Sequence, residues 1–590
     1  MDYNFKRAYM KILISGLVLC ISLCACSKIF DIKPEEALDH SQTYRDVHDA
    51  DAAVVGIYGK VITLAGRLVV LNELRGDLVD VTQSASGKYL QQLSTHSVTA
   101  DNPYADPRPF YEVILNCNDA LSNFDVMLKD KRMTVDEYGL RYSTVGAIRS
   151  WLYLQLGIQY GSIPYITDPL VNVNDLKDAA KFPRVTFDEL LDKLLAFTEA
   201  LPYKLPFPAG TSLLTIVDTY NTEKFFINIK CFLGDLYLWK GNYAQAALNY
   251  QYMMNYGDVL YPAKNSEQWY ETYKLAYTAN LTGGNWSNIF SQPYGERYSN
   301  YEIIWDLPFD KNFNPPNPFI DLFDNTKGSY QLKPSALAIK NWNDQVRTGD
   351  AVGNNTPVDL RGPGASWKMS GGSPVINKFT YNFNPLLPFE TNSKWILYRA
   401  AMLHLRYAEA ANRDGRDKLV YALLNAGIKN TYDPVYMATG VSGGEGRNVT
   451  DIEQTHDVPP YDFDARDGNY PQYRNAWYRN TGIRGRVALK PVLIDSASYF
   501  DMSSKEVTDR AGLILFMEDK LIAEDGLELA FEGNRWADLL RIALRRQASD
   551  PAYLANKVAA KFEAANDGMA GAVRSALMDK QNWYLPFRWQ

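Results

Sequence analysis

The sequence predicts a mainly α-helical protein made of paired helices, with two long irregular inserts. Apolar residues recur at helical spacing through several blocks of the 590-residue chain. In two of these blocks, small residues stand where antiparallel helices need to approach closely. The segments 257–392 and 429–495 break this pattern, because they are rich in turn residues and poor in helical period. Loops of that length are usually binding segments or disordered. We therefore expect a helical scaffold whose inserts carry the ligand site.

The first 25 residues have the composition of a signal peptide. Three basic residues precede an apolar run over 12–25, which is shorter than the ~20 residues that a membrane-spanning helix needs. The run closes with Leu23-Cys24-Ala25-Cys26, which resembles a bacterial lipobox. We therefore predict that residues 1–25 are removed and that Cys26 is lipidated. A plain signal peptide that happens to contain cysteines is the alternative.

The rest of the chain is predicted to form a lipidated tether over 26–45 and one domain over 46–590. The full chain has 61 basic and 68 acidic residues, without clusters of lysine and arginine. This balance argues against nucleic acid as a ligand. Beyond the lipidation site, only Cys117 and Cys231 remain of the five cysteines. We expect two buried free thiols, and a single disulfide is the open alternative.

Helices are predicted along the domain from their apolar period and their end signals. One long helix stops at Tyr160-Gly161, because glycine and the following Pro164 end a helix. Thr186, with Glu189 three residues later, has the signature of a capping box. A short strand is expected near 302–307. The predicted helical segments are 46–72, 109–127, 136–160, 186–200 and 513–546.

Three blocks resemble tetratricopeptide (TPR) hairpins, which pair two antiparallel helices: near 109–160, 222–256 and 395–428. In the clearest block, Gly234 and Ala246 are small enough to let two helices approach, and Tyr250 fills the groove beside them. Regular TPR arrays repeat about every 34 residues. These blocks are much farther apart, so the chain is not a simple solenoid.

The C-terminal block 513–546 is predicted to form one or two amphipathic helices. Two oppositely charged pairs lie at i,i+3 spacing, Glu532 with Arg535 and Asp538 with Arg541. If exposed, each pair would stabilise its helix by roughly 0.2–0.5 kcal/mol.

No motif in the chain predicts catalysis, a metal site or a cofactor. The five histidines lack metal-ligand spacing, and the sequence has no nucleophile elbow or phosphate-binding loop. The stretch Asp462 to Gly468 resembles a calcium loop, but Arg466 stands where a carboxylate is needed. A glycosidase needs two suitably spaced carboxylates. With 68 acidic residues, the sequence neither identifies nor excludes such a pair.

Several segments, in the expected order behind the lipobox, resemble motifs of the SusD/RagB-like outer-membrane nutrient-binding lipoproteins of Bacteroidetes. They are Tyr111-x-x-Ile114-x-x-x-Asn118, Arg149 to Pro164, Pro334-Ser335 with Asp359-Leu360-Arg361, Tyr407-Ala408-Glu409-Ala410, and Glu528 to Arg541.

The chain departs from the family pattern in two places. Asn425 and the segment 483–487 resemble the two halves of a motif that is continuous in the family. Lys28 follows the lipobox where exported members tend to be acidic. An outward-facing location therefore rests on the resemblance rather than on the signal peptide.

The resemblance implies a SusD-like fold and a binding protein that does no chemistry. Its members bind oligosaccharides at the cell surface and pass them to a SusC-like TonB-dependent transporter in the outer membrane. A TPR-type scaffold that binds only proteins is one alternative, and a surface glycoside hydrolase is another. A peptide or another nutrient also stays open as the ligand.

The resemblance places the ligand site in two stretches, 75–106 and 265–305. Sugars need exposed aromatic faces together with Asn, Asp or Arg side chains that satisfy their hydroxyl groups. Trp269 and Trp286 are the preferred stacking platforms, although packing on the scaffold is the alternative for each ring. Trp305 lies in an apolar run and is expected in the core. The candidate ligand-binding residues are Arg75, Asp77, Tyr89, Asn102, Tyr104, Trp269, Tyr270, Trp286, Asn288, Tyr294 and Tyr298.

Overall fold

Helices make up most of the fold, which confirms the predicted fold class. The computed structural model describes residues 44–85, 87–170, 178, 180–255, 285–291, 302–348, 355–432, 457–465, 477 and 480–588. Residues 1–25, which are predicted to be a signal peptide, and Cys26 lie outside these residues, so cleavage and lipidation stay predictions. One continuous core of buried apolar side chains extends from Tyr44 to Phe587.

The helices lie in the following order along the chain: α1 (Val47–Val61), α2 (Ala65–Glu73), α3 (Lys88–Ser94), α4 (Arg108–Lys129), α5 (Val135–Tyr160), α6 (Phe187–Glu199), α7 (Ile229–Lys240), α8 (Tyr243–Met254), α9 (Asn288–Ser291), α10 (Pro318–Phe323), α11 (Ala336–Asn343), α12 (Ala400–Arg413), α13 (Asp417–Leu424), α14 (Ile428–Tyr432), α15 (Ser496–Tyr499), α16 (Arg510–Glu528), α17 (Arg535–Arg546), α18 (Tyr553–Ala564) and α19 (Ala570–Leu577).

The strands are short and form antiparallel pairs. They are β1 (Val79–Val81), β2 (Ile163–Pro164), β3 (Arg184–Val185), β4 (Ile216–Val217), β5 (Tyr220–Asn221), β6 (Ile303–Phe309), β7 (Leu332–Pro334), β8 (Val346–Thr348), β9 (Asn355–Pro357), β10 (Trp367–Ser370), β11 (Ser373–Ile376) and β12 (Ser393–Arg399). The pairs are β1–β7, β2–β3, β4–β5, β6–β12, β8–β9 and β10–β11. The first insert is therefore less irregular than predicted, because six strands begin within it.

Local sequence signals account for the helix ends. The hydroxyl of Thr186 accepts a hydrogen bond from the Glu189 amide, and the Glu189 carboxylate accepts one from the Thr186 amide, which is the predicted capping box. Helix α5 ends at Gly161, whose φ of +70° a side chain would disfavour. The stretch Val47–Glu73 is apolar and long enough to cross a membrane by composition alone, but 61% of its most apolar window is buried inside the protein, as in a core helix.

Helical hairpins occupy the ranges in which the sequence suggests TPR-like units. They are the pairs α4–α5, α7–α8 and α12–α13. In the second pair, a Cβ on Gly234 would lie 2.3 Å from the Tyr250 ring. The glycine therefore allows the close approach that the sequence predicts. The Tyr250 hydroxyl donates to Asp235 at 2.7 Å, which satisfies this buried ring within the hairpin.

Family-like motifs that are far apart in sequence meet in one buried ionic cluster. Its cations bind its carboxylates at distances such as 2.7 Å for Arg399 to Glu528 and 2.6 Å for Lys378 to Glu532. Such pairs are tolerated inside a protein only when each charge is matched by a partner. The members of the buried ionic cluster are Arg361, Lys378, Arg399, Arg484 and Arg486 with Glu302, Asp359, Glu524, Glu528 and Glu532.

Several charged residues of the C-terminal block are buried, so the energy given for exposed i,i+3 pairs does not apply to them. Glu532 binds Lys378 and Arg399 of the buried ionic cluster instead of Arg535. Asp538 and Arg541 do pair at 2.9 Å, but with each side chain only 4% exposed. The period of a helix does not show which of its faces another segment covers, so the sequence left the exposure of these pairs open.

The two halves of the split motif come back together in the fold. The amides of Ile483 and Gly485 donate to the carbonyl oxygens of Leu423 and Asn425, at 2.9 and 2.8 Å. A Cβ on Gly427 would lie 1.7 Å from the Asn480 oxygen, so glycine is required where the two segments cross. The chain between them is thus an insertion into a continuous structural element.

The two cysteines are free and buried, which confirms the expected pair of thiols and excludes a disulfide between them. Burial raises the pKa of Cys117 to about 12. Both thiols are therefore protonated and unreactive at neutral pH.

Candidate functional site

Two of the predicted ligand-binding residues, Tyr89 and Tyr104, lie half-buried at the surface near the N-terminal helices. Asn102 holds the segments of both rings in place. Its amide nitrogen donates to the Tyr89 carbonyl oxygen at 3.0 Å, and its amide oxygen accepts from the Tyr104 backbone at 3.0 Å. Because Asn102 is 0% exposed, it positions the tyrosines and does not itself meet a ligand.

Charged side chains surround these two rings. Lys88 Nζ lies 5.1 Å from the Tyr89 ring centroid and 2.9 Å from Asp101 Oδ2. The Arg67 guanidinium lies 5.8 Å from the Tyr104 ring and donates to the Pro103 carbonyl oxygen. Together, Arg67, Lys88, Tyr89, Asp101 and Tyr104 form what we term the tyrosine surface.

The tyrosine surface is charged at neutral pH. Hydrogen bonds from Thr99 and Lys88 lower the pKa of Asp101 to about 2, and the same contact with Asp101 raises the pKa of Lys88. Burial raises the pKa of Tyr104 above its ordinary value. The surface therefore offers a carboxylate acceptor and cationic donors beside neutral aromatic rings, which suits the hydroxyl groups and C–H faces of a sugar.

Arg75 and Asp77, also predicted to face a ligand, are buried within the scaffold. The Arg75 guanidinium lies 4.0 Å from the Trp536 ring and donates to Gln159 at 2.6 Å. Asp77 forms an ion pair with Arg535 at 2.6 Å. Burial alone would raise the pKa of Asp77, but Arg535 outweighs it and the pKa lies below its ordinary value. Both residues join distant segments, so their expected exposure was wrong.

Trp286 is also buried, at 1% exposure, so the expectation of an exposed platform was wrong. Its ring lies against the buried ionic cluster, 5.3 Å from the Arg399 guanidinium and 5.2 Å from that of Arg486. Glu302 binds the same two guanidinium groups. Both ends of the segment 287–301 are therefore anchored at the buried ionic cluster.

The remaining candidates of the second stretch lie outside the description. Asn288 begins helix α9, but its side chain is not described. Ligand binding by these residues stays a prediction. The residues outside the described part of the chain are Trp269, Tyr270, Tyr294 and Tyr298.

Tryptophans that are far apart in sequence surround a small cavity. Trp151, Trp305 and Trp395 line it, and its volume is about 60 Å³. The Trp151 and Trp305 ring centroids are 5.2 Å apart in an edge-to-face arrangement. The core position expected for Trp305 is confirmed. Its neighbours come from a helix and a distant strand, and no local pattern connects them.

Within the described ranges, no group of three or more His, Cys, Asp or Glu side chains is placed to hold a metal ion. Many acidic side chains of the described interior are instead paired with arginine. Glu409, for example, binds Arg541 and Arg545 at 2.6 and 2.7 Å. Burial opposes ionisation of this carboxyl, but the two guanidinium groups prevail and lower its pKa to about 2.

No protein-family model matches the chain, and no curated protein matches it. Solved structures do resemble it. A SusD superfamily protein from Bacteroides thetaiotaomicron is 17% identical, with 92% of this chain and 96% of that chain covered and a TM-score of 0.54. A laminarin-binding SusD-like protein is 16% identical, with the same coverage and a TM-score of 0.53.

Surface glycan-binding protein A from Bacteroides uniformis is 14% identical to this chain. The match covers 91% of this chain and 96% of that chain, with a TM-score of 0.51. At such low identity, these similarities concern the arrangement of the backbone rather than the chemistry of a site. The resemblance inferred from the motifs is confirmed at that level: the chain has the SusD-like fold.

Proposed function

We propose that this protein is a non-catalytic, lipid-anchored glycan-binding protein at the surface of the outer membrane. In this role it binds oligosaccharides and delivers them to a SusC-like TonB-dependent transporter. The SusD-like fold supports the proposal, because the similar structures include a laminarin-binding protein and a surface glycan-binding protein.

The tyrosine surface is the observation that carries glycan binding. A buried asparagine holds the backbone at both tyrosines, so a ligand would meet a surface whose main chain needs little ordering on binding. Asp101 and Lys88 supply an acceptor and a donor next to the Tyr89 ring, with the Lys88 ammonium group over one of its faces. Sugars carry both donors and acceptors on each hydroxyl group, so this mixture matches them better than a surface of one charge.

Affinity electrophoresis against a panel of neutral polysaccharides, beginning with laminarin, tests the proposal. A polysaccharide that retards the protein is then titrated by calorimetry as its oligosaccharide. The double variant Tyr89→Ala/Tyr104→Ala should weaken binding by at least about 5-fold, since each lost ring contact costs about 0.5–1.5 kcal/mol. The control is Tyr252→Ala, which removes a tyrosine that is 39% exposed on α8.

Two results would contradict the binding proposal. One is wild-type protein that is retarded by no polysaccharide of the panel. The other is a double variant that binds as well as the Tyr252→Ala control. The appearance of new reducing ends during incubation with a bound glycan would instead establish hydrolysis and overturn the non-catalytic role.

The anchor and the transporter are tested in cells that produce the full chain. Labelling with a palmitate analogue should mark the wild-type protein and not a Cys26→Ser variant. Mild solubilisation of the outer membrane should yield a complex of the wild-type protein with a TonB-dependent transporter. Label retained by Cys26→Ser would refute the anchor, and purification without a transporter would refute the partnership.

A further inference from the structure

A second candidate site is a cleft that shares no residue with the tyrosine surface. Its volume is about 620 Å³, which is in the range of small-ligand sites. It forms where the N-terminus of α6 meets the C-terminus of α7, the helix α17 and the segment 580–584. The residues that matter for its chemistry are Phe187, Trp239, Tyr243, Arg545, Lys580 and Tyr584.

The aromatic walls of this cleft are held in place by neighbours. Phe187 and Trp239 pack edge-to-face with centroids 5.3 Å apart. Tyr584 lies against Gly161, where a Cβ would approach its ring to 3.0 Å. Trp239, Tyr243 and Tyr584 each keep part of their surface exposed. The rings therefore form a preformed apolar surface that the protein does not cover.

Most of the charges that line the cleft are matched. Lys240 binds Asp188 and Asp192, and Arg541 binds Glu409 and Asp538. Among the described cations that line the cleft, Lys580 alone lacks a carboxylate partner, because its ammonium group donates to the neutral side chain of Gln547. The rim is not positive overall, because Lys240 meets two carboxylates, but Lys580 keeps an ammonium group that no described carboxylate binds.

Arg545 adds a donor that the protein does not satisfy. Its side chain is only 10% exposed and binds Glu409 and Glu518 through one terminal nitrogen. Its Nε is buried and has no hydrogen-bond partner. A buried donor without an acceptor costs about 1–3 kcal/mol, so this side chain is incompletely satisfied next to the cleft.

We propose that this cleft is a second saccharide site, which takes a short oligosaccharide carrying a carboxylate, such as a chain of hexuronic acids. The C–H face of a sugar ring packs on Trp239 and Tyr584, and its carboxylate accepts from Lys580. The choice of a saccharide as the ligand rests on the proposed glycan-binding function. The cleft and the Lys580 ammonium group are features of the structure and do not depend on that function.

Calorimetric titration of the full mature chain with the trimers of galacturonate, mannuronate and guluronate tests the inference. At least one trimer should bind, and Lys580→Glu should weaken that binding by at least ~10-fold. The matched control is Lys505→Glu, which makes the same charge change at an exposed lysine outside the cleft. This control should stay within about 2-fold of the wild type.

A chemical arm separates the charge from the fit of the ring. Methyl esterification of the trimer should weaken binding to the wild type and have little further effect on Lys580→Ala. Failure of all three trimers to bind, or equal weakening by Lys580→Glu and Lys505→Glu, would overturn the inference. The proposed function would still stand if the wild type binds a neutral glycan and only Tyr89→Ala/Tyr104→Ala loses that binding.

Discussion

Glu528 joins three arginines of the buried ionic cluster, and Glu528→Gln tests whether that cluster holds the fold together. The carboxylate is 0% exposed and lies 2.9 Å from Arg361 and 2.7 Å from Arg399, and it also binds Arg486. Glutamine has nearly the same shape but no charge. The cluster would then hold one more cation than it holds carboxylates, and these side chains are closed to solvent.

Removing one partner of a buried ion pair costs about 3–5 kcal/mol, because the remaining charge stays buried. We expect a loss of that size in the unfolding free energy of Glu528→Gln. Urea unfolding followed by circular dichroism measures it. The control is Glu563→Gln, whose carboxylate is 50% exposed beside Arg574 and should contribute less than about 1 kcal/mol.

The same group predicts the direction of a pH effect. Burial opposes ionisation of Glu528, but Arg486, Arg399 and Arg361 outweigh it and hold its pKa well below the ordinary value. Its contribution to stability is therefore complete above the unfolded pKa of about 4.3 and is lost as the pH falls towards the folded pKa. The difference between wild type and Glu528→Gln should shrink in acid. A loss below about 1 kcal/mol at pH 7 would refute the reasoning.

Three further predictions concern single positions. Gly234→Ala should destabilise the protein by about 1–3 kcal/mol in urea unfolding, because the added Cβ would meet the Tyr250 ring at 2.3 Å. Burial raises the pKa of Glu73 to about 7, so the contribution of this residue to stability falls as the pH rises from about 4.5 to 7. Glu73→Gln should remove that part of the dependence of the unfolding free energy on pH. An unchanged pH dependence in the variant would contradict the prediction. Cys117 and Cys231 should react with a thiol reagent only after denaturation, and reaction in native buffer would contradict their burial.

The sequence alone predicts those structural elements whose signals lie within a few neighbouring residues. A capping box needs only Thr186 and Glu189, and both sides of it form as predicted. The close approach at Gly234 likewise follows from residues within one hairpin, where Tyr250 packs on the space that the glycine leaves. In such cases the interacting residues are neighbours in sequence, so a pattern of residue types identifies the contact.

The exposure of candidate site residues could not be predicted in the same way. Trp286 has the composition of a sugar platform, but Arg399 and Arg486 cover it from segments more than a hundred positions away. Asp77 meets Arg535, which is near the other end of the chain. Whether a ring or a carboxylate faces solvent is decided by such distant partners, which spacing and composition do not show.

The crossing at Gly427 and Asn480 has a consequence for how this protein can change. Because the hydrogen bonds from Ile483 and Gly485 close the element on itself, the two ends of the inserted segment leave the scaffold at the same point. A replacement segment can start and finish there, and added length costs little. Tyr461, Phe463 and Trp477 lie within the segment and are buried in the core, so evolution or an engineer could vary the rest of the segment as long as these three rings keep their packing on the helices.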